Sequence, residues 1–191
     1  MQFANRNVVL TGAGGGIGRA LAFVLAKNAA NLLLVGRDVS RLDALKTELP
    51  AGSSVYVVGA DIATDEGRHR VASACQQLTD IDVLINCAGI SDFALFQEQK
   101  PAVISQLIGV NVLAPMLLTH RLLPLMNSPN GGLIVNIGST FGTIGHPGFA
   151  AYCASKFALR GFSEALRREL AGIGAFLGLA GLVLVGLFVW G

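Results

Sequence analysis

Tyr152 and Lys156 stand four residues apart in the stretch YCASK, so on one helix they share a face. A free tyrosine titrates at about 10 and is a poor base at neutral pH. An ammonium beside it favours the phenolate and brings the pair toward the range where acid–base catalysis is efficient. Ser139, thirteen residues earlier in NIGS, closes an apolar run, the place where ligands of open α/β sheets bind. Cys153 adjoins the tyrosine but has no base beside it in sequence, and His146 in GHPGF reads as a loop residue shaped by Pro147 and Gly148.

A second pattern lies near the amino terminus. VVLTGAGGGIGRALA places Gly12, Gly14, Gly16 and Gly18 between an apolar run and a helical one. Glycine suits a turn with unusual dihedrals whose backbone must closely approach a pyrophosphate, and the helix beyond supplies free N–H groups and a partial positive charge. A GxGxxG match from Gly12 fails at Ile17; TGxxxGxG fits, with Thr11, Gly12, Gly16 and Gly18.

These residues need a frame. Short apolar runs at 7–11, 31–36, 54–60, 82–86 and 132–138 read as five strands, separated by helical stretches near 16–28, 40–49, 64–79, 100–126 and 150–171. Strands without polar alternation, each followed by a helix-length segment, predict a parallel sheet covered on both faces. Right-handed crossovers then give a doubly wound α/β (Rossmann-type) domain over 1–170.

Composition narrows the function classes. The chain has 191 residues, enough for one substantial core. A net charge of +2, scattered along the chain, argues against a nucleic-acid partner. Three cysteines without CxxC spacing and three dispersed histidines indicate reduced thiols and no metal site. The start MQFANRNVVLTG lacks an apolar signal core, so a cytoplasmic domain is expected.

Taken together, TGxxxGxG, NCAG and YCASK in this order resemble the short-chain dehydrogenase/reductase family over residues 7–170. The resemblance implies an oxidoreductase moving hydride between a nicotinamide cofactor and a carbonyl or secondary alcohol. It implies a catalytic set of Ser139, Tyr152, Lys156 and Asn111. Tyr152 would exchange the proton with the substrate oxygen, Lys156 would also hold the nicotinamide ribose, and Ser139 would hydrogen-bond the reacting oxygen. Asn111 in GVNVLAP would hold a water for the proton relay; without the family it would read as bonding backbone. The glycine loop, including Gly14 and Ile17, would hold the cofactor, Asp61 of ADI would contact the adenine, and Asn86, Ala88 and Gly89 would support the sheet beside it. A small-molecule substrate and a homo-oligomer are implied as well.

By the resemblance, Arg37, nineteen residues after Gly18, would occupy the family's position that discriminates the two cofactors. A guanidinium pairs well with phosphate, so NADP is expected over NAD, with Asp38 one step away as the competing carboxylate.

The family normally continues through a sixth strand and a loop over the nicotinamide, and neither is readable past Leu170. Residues 171–191 carry no charge. Three readings stay open. One is a membrane anchor over 173–191, about 29 Å as a helix, with a GxxxG at Gly174 and Gly178, Trp190 at the interface and Arg160, Arg167 and Arg168 on the cytoplasmic side. The second is a buried strand or helix completing the core, with 182–189 as a weak strand candidate. The third is a shifted or truncated reading frame, which would leave a cofactor-binding remnant without turnover.

Overall fold

Six parallel strands carry the molecule: β1 (Asn7–Thr11), β2 (Asn31–Gly36), β3 (Val55–Gly59), β4 (Val83–Asn86), β5 (Gly132–Ile137) and β6 (Ile173–Gly178), in the order β3-β2-β1-β4-β5-β6. The computed structural model describes residues 3–178 except 77, 79, 128–130, 171 and 172. Successive side chains of a strand point to opposite faces, and here both faces are covered. Val8, Leu10, Leu32 and Leu34 pack under α1 (Gly16–Lys27) and α2 (Val39–Glu48). Val9, Leu33 and Val35 pack under α3 (Asp65–Cys75), α5 (Ala114–Leu122) and α6 (Ala150–Glu169). Two apolar faces explain why the strands read as continuous apolar runs.

The order reverses between β1 and β4, and open α/β sheets bind ligands in the crevice outside the carboxyl ends of the strands at such a switch. The helices that begin near it are capped by their own sequence. Asp38 accepts from the Arg41 N–H at 3.1 Å to start α2, and Thr64 accepts from the Gly67 N–H at 3.0 Å to start α3.

Two expectations are refined. The helical stretch expected near 100–126 is present without a break over Pro101–Leu125 but is not uniformly α-helical: α4 (Pro101–Ile108) passes into a π-helical segment, Gly109–Leu113, before α5. Pro115 has no N–H to return to residue 111, and a wider turn accommodates that missing donor. Its product is a bulge centred on Asn111.

The second concerns the carboxyl-terminal segment. Of its three readings the strand completing the sheet is the one seen, at Ile173–Gly178, paired in register with β5 from Gly132↔Ile173 to Ile137↔Gly178. The first six residues of the nineteen counted toward a membrane helix are therefore strand, so the helical reading of 173–191 does not hold as drawn. The alternative strand at 182–189 lies outside the described residues. IGAFLG is a weak strand sequence, with glycines that reduce strand propensity; the open edge of β5 and the cover of α6 make it one. Gly132 matches it, since a Cβ there would lie 3.2 Å from the Ile173 side chain. Among the described residues one helical rod, Pro101–Leu125, is long and apolar enough to cross a membrane by length and composition; its Leu107, Leu118 and Leu122 are buried.

Candidate active site and nucleotide cleft

Thr11 ends β1, and its hydroxyl oxygen accepts from the N–H groups of Cys87 (3.0 Å) and Ala88 (3.2 Å). The hydroxyl itself donates to the Ile85 carbonyl at 3.4 Å. One buried side chain thus joins the carboxyl ends of β1 and β4 at the switch point. Gly12 follows with φ +68°, and a Cβ on it would lie 2.6 Å from the Ala88 Cα. A Cβ on Gly18 would collide with the Gly12 carbonyl oxygen, so the first turn of α1 rests directly on the loop. Gly16 differs: a Cβ there would meet nothing within 4 Å. Gly15 starts α1 without a side-chain cap and the first turn has no acid, which suits the helix end to an anion. The cradle fits a pyrophosphate.

A cleft of about 500 Å³ extends from this loop across the ends of β2 and β3 to Ala88 and Gly89, with Gly14, Ile17, Arg37 and Asp61 in its walls. Arg37 is exposed. Asp38 is already engaged, accepting from the Arg41 N–H and pairing with the Arg41 guanidinium at 3.2 Å. Arg41 also lines the cleft; no pattern in the sequence singled it out, although it stands one helical turn beyond Arg37. One oxygen of Asp61 accepts from the Ala63 N–H at 3.0 Å, holding the loop after β3.

Asn86 sits beneath the cleft rather than in it. Its amide donates to Asn136 at 2.8 Å and to Thr119 at 3.2 Å, and the Asn136 amide passes on to Ser163 at 2.9 Å. This buried chain ties β4 to β5, α5 and α6. Asn136 was missed by the sequence reading, though a lone amide inside the apolar run IVNI is the signal that marks it.

The residues expected to do chemistry gather around Lys156. This lysine is 7% exposed, and its Nζ donates to the Ile137 carbonyl at 2.9 Å. Burial pushes its pKa below the ordinary lysine value, with the charge of a Cys87 thiolate acting in the opposite direction. A Cβ on Gly89 would lie 3.3 Å from Asn111 Oδ1 and 3.7 Å from Lys156 Nζ, so the loop after β4 meets both. Across from it, a Cβ on Gly142 would lie 2.9 Å from the Lys156 carbonyl oxygen, which presses the turn after β5 onto α6.

Ser139 begins that turn, its oxygen accepting from the Phe141 N–H at 3.2 Å. Tyr152 is half-buried, its ring centroid 5.8 Å from Lys156 Nζ. Asn111 is buried, with Oδ1 accepting from the Ile90 N–H at 2.9 Å and Nδ2 donating to the Ile90 carbonyl at 2.8 Å and to Ser155 at 3.1 Å. Its side chain therefore fastens the loop after β4 to α6. Ser139, Tyr152, Lys156 and Asn111 lie outside the cleft walls proper; Gly89 is the point at which the cleft meets Asn111 and Lys156.

The thiols are quiet. Burial pushes Cys87 up to about 11 against the pull of Lys156, and Cys75 up to about 12. Cys153 is buried, its Sγ 3.9 Å from the Ile144 carbonyl. Among the described residues no group of three His, Cys, Asp or Glu side chains could hold a metal ion.

The family model for short chain dehydrogenase matches residues 6–175. Nodulation protein G of Rhizobium sp. (strain N33) is 37% identical over 171 residues, covering 89% of this chain and 69% of its own. A metagenomic short-chain oxidoreductase solved in complex with NADP superposes with a TM-score of 0.83 at 32% identity, covering 93% of this chain and 82% of that one. A short-chain dehydrogenase/reductase from Burkholderia phymatum solved in complex with NAD gives 0.85 at 28% identity, covering 93% and 66%.

Proposed function

Because the chain belongs to the short-chain dehydrogenase family, whose members are NAD(P)-dependent oxidoreductases, we propose that it reduces a carbonyl compound, or oxidises the corresponding secondary alcohol, with NADP(H) and with Tyr152 as acid and base. One observation carries the reading: four segments distant in sequence meet at Lys156. They are the end of β5, the loop after β4 at Gly89, the bulge at Asn111 and the helix face that also bears Tyr152.

The cleft would hold the nicotinamide nucleotide, which would supply the hydride chemistry at the carbonyl carbon. The chain does the rest. The glycine cradle and the start of α1 hold the pyrophosphate. Lys156, anchored by the Ile137 carbonyl, holds the ribose hydroxyls and keeps positive charge beside the phenol. Tyr152 gives its proton to the substrate oxygen, and Ser139 steadies that oxygen by a hydrogen bond. Asn111 acts as a positioning residue, since its amide is committed to Ile90 and Ser155.

The preference for NADP rests on two guanidiniums, Arg37 and Arg41, in the cleft wall beyond β2 and on the engagement of Asp38 by Arg41. A fork of N–H donors suits a phosphate. Leu113, Leu117 and Phe157 are 44–50% exposed on neighbouring helices and support assembly with a second copy.

Tyr152→Phe tests the assignment. NADPH-dependent carbonyl reduction should fall at least about 10³-fold while NADPH binding stays within about twofold. Undiminished turnover would remove Tyr152 from the chemistry.

A further inference from the structure

Four rings cluster about the proposed acid, and they come from separate loops. Phe141 lies in the turn after β5 and His146 and Phe149 in the loop leading to α6, while Phe93 belongs to the loop after β4. Phe141 stacks on His146 with centroids 5.0 Å apart and an interplanar angle of 18°. Phe149 stands 5.0 Å from Phe141 and 5.1 Å from Phe93. Tyr152 presents its ring edge-on to Phe141 at 6.2 Å and to Phe149 at 6.1 Å.

The two loops are fastened together where the rings meet. The Ala94 N–H donates to the Gly148 carbonyl at 3.0 Å. Gly148 has φ +80°, and a Cβ on it would run into the Phe93 ring. Nevertheless the wall is not core. Phe93 is 69% exposed, so a ring locked in place beside Phe149 leaves most of its surface to solvent. A held but uncovered aromatic, continuous with the reactive phenol, is the form of a ligand wall.

We infer that this wall receives the flat apolar body of the substrate, so that the carbonyl compounds taken are aryl and cyclic ketones or aldehydes and not polyhydroxylated sugars; the inference rests on the proposed role of Tyr152. Offset and edge-to-face packing is what such rings offer a planar guest. A polyol buried there would lose water from every hydroxyl, and the rings hold few replacements. Apart from the phenol, the polar group among them is the imidazole of His146, whose Nδ1 donates to the Pro147 carbonyl at 2.9 Å. That bond leaves Nε2 as an acceptor in the neutral ring, suited to one hydroxyl or amine on the far side of an aryl ketone.

The test uses the full chain with NADPH and three carbonyl compounds: 2-tetralone, 2-decanone and fructose. The expected kcat/KM for 2-tetralone exceeds that of each of the others at least tenfold. Phe93→Ala should lower it at least fivefold through KM, with Phe93→Leu in between. Binding of 2-tetralone to the Tyr152→Phe protein loaded with NADP⁺, followed by calorimetry, separates the inference from the reading beneath it. Binding there, weakened at least fivefold by adding Phe93→Ala, with no turnover of any compound by the unaltered chain, would leave the wall standing and remove the catalytic assignment. Turnover of fructose or 2-decanone as good as that of 2-tetralone would overturn the inference and leave the catalytic assignment intact. Failure of 2-tetralone to bind, or indifference of its binding to Phe93→Ala, overturns it as well.

Discussion

Lys156 donates from Nζ to the Ile137 carbonyl at 2.9 Å, and this bond ties α6 to the end of β5. The lysine is buried and its pKa lies below the ordinary lysine value of 10.5 because desolvation disfavours the charge. Between the folded pKa and 10.5 the unfolded chain binds more protons than the folded one, so stability rises with pH across that window. Relative to Lys156→Met, the unaltered chain should therefore gain stability from neutral pH toward pH 10, as read by denaturant melts. A flat or opposite difference would mean the ammonium is not desolvated.

Arg37 stands in the cleft wall while Asp38 is held by Arg41. Arg37→Ala should weaken NADPH binding about tenfold or more, on the order of 1.4 kcal/mol, and change NADH binding less than threefold. Fluorescence titration of both nucleotides checks this. Equal losses for the two would assign Arg37 to general nucleotide binding and leave the 2′-phosphate unexplained.

The glycines of the loop divide by what surrounds them. Gly18→Ala puts a methyl into the Gly12 carbonyl oxygen and should cost about 2–4 kcal/mol of stability. Gly16→Ala meets nothing in the protein and should leave the melt unchanged or raise it, by up to about 1 kcal/mol from helix propensity, while lowering affinity for NADPH and NADH. A Gly16→Ala protein that binds both nucleotides normally would move the pyrophosphate away from this turn.

Cys87 borders the cleft, yet its thiol lies at about 11 against an ordinary 9.0. The thiolate fraction at neutral pH is thus about a hundredfold below that of a free cysteine. Alkylation with iodoacetamide at pH 7.5, mapped by peptide mass spectrometry, should label Cys87 at least about 50-fold more slowly than a free cysteine peptide. Rapid labelling would expose a reactive thiol at the cofactor site.

Much of this protein is decided locally. The runs at 7–11 and 31–36 become β1 and β2 with those bounds, because continuous apolar stretches flanked by turn residues have one stable use in a doubly covered sheet. The loop from Thr11 to Gly18 is likewise legible, since glycine at those spacings has few other reasons. Tyr152 and Lys156 share a helix face by spacing alone. Tertiary structure decided the rest. IGAFLG becomes β6 because β5 offers an open edge, a property of neither segment by itself. Asn111 reaches Ile90 and Ser155 because a π turn rotates it there, and helical periodicity does not register a single wider turn. Phe93 and Phe149, 56 positions apart by their numbering, meet at 5.1 Å because two loops converge at one end of the sheet. Contacts between distant segments follow from how strands are ordered and crossed, and that order is a property of the packed whole.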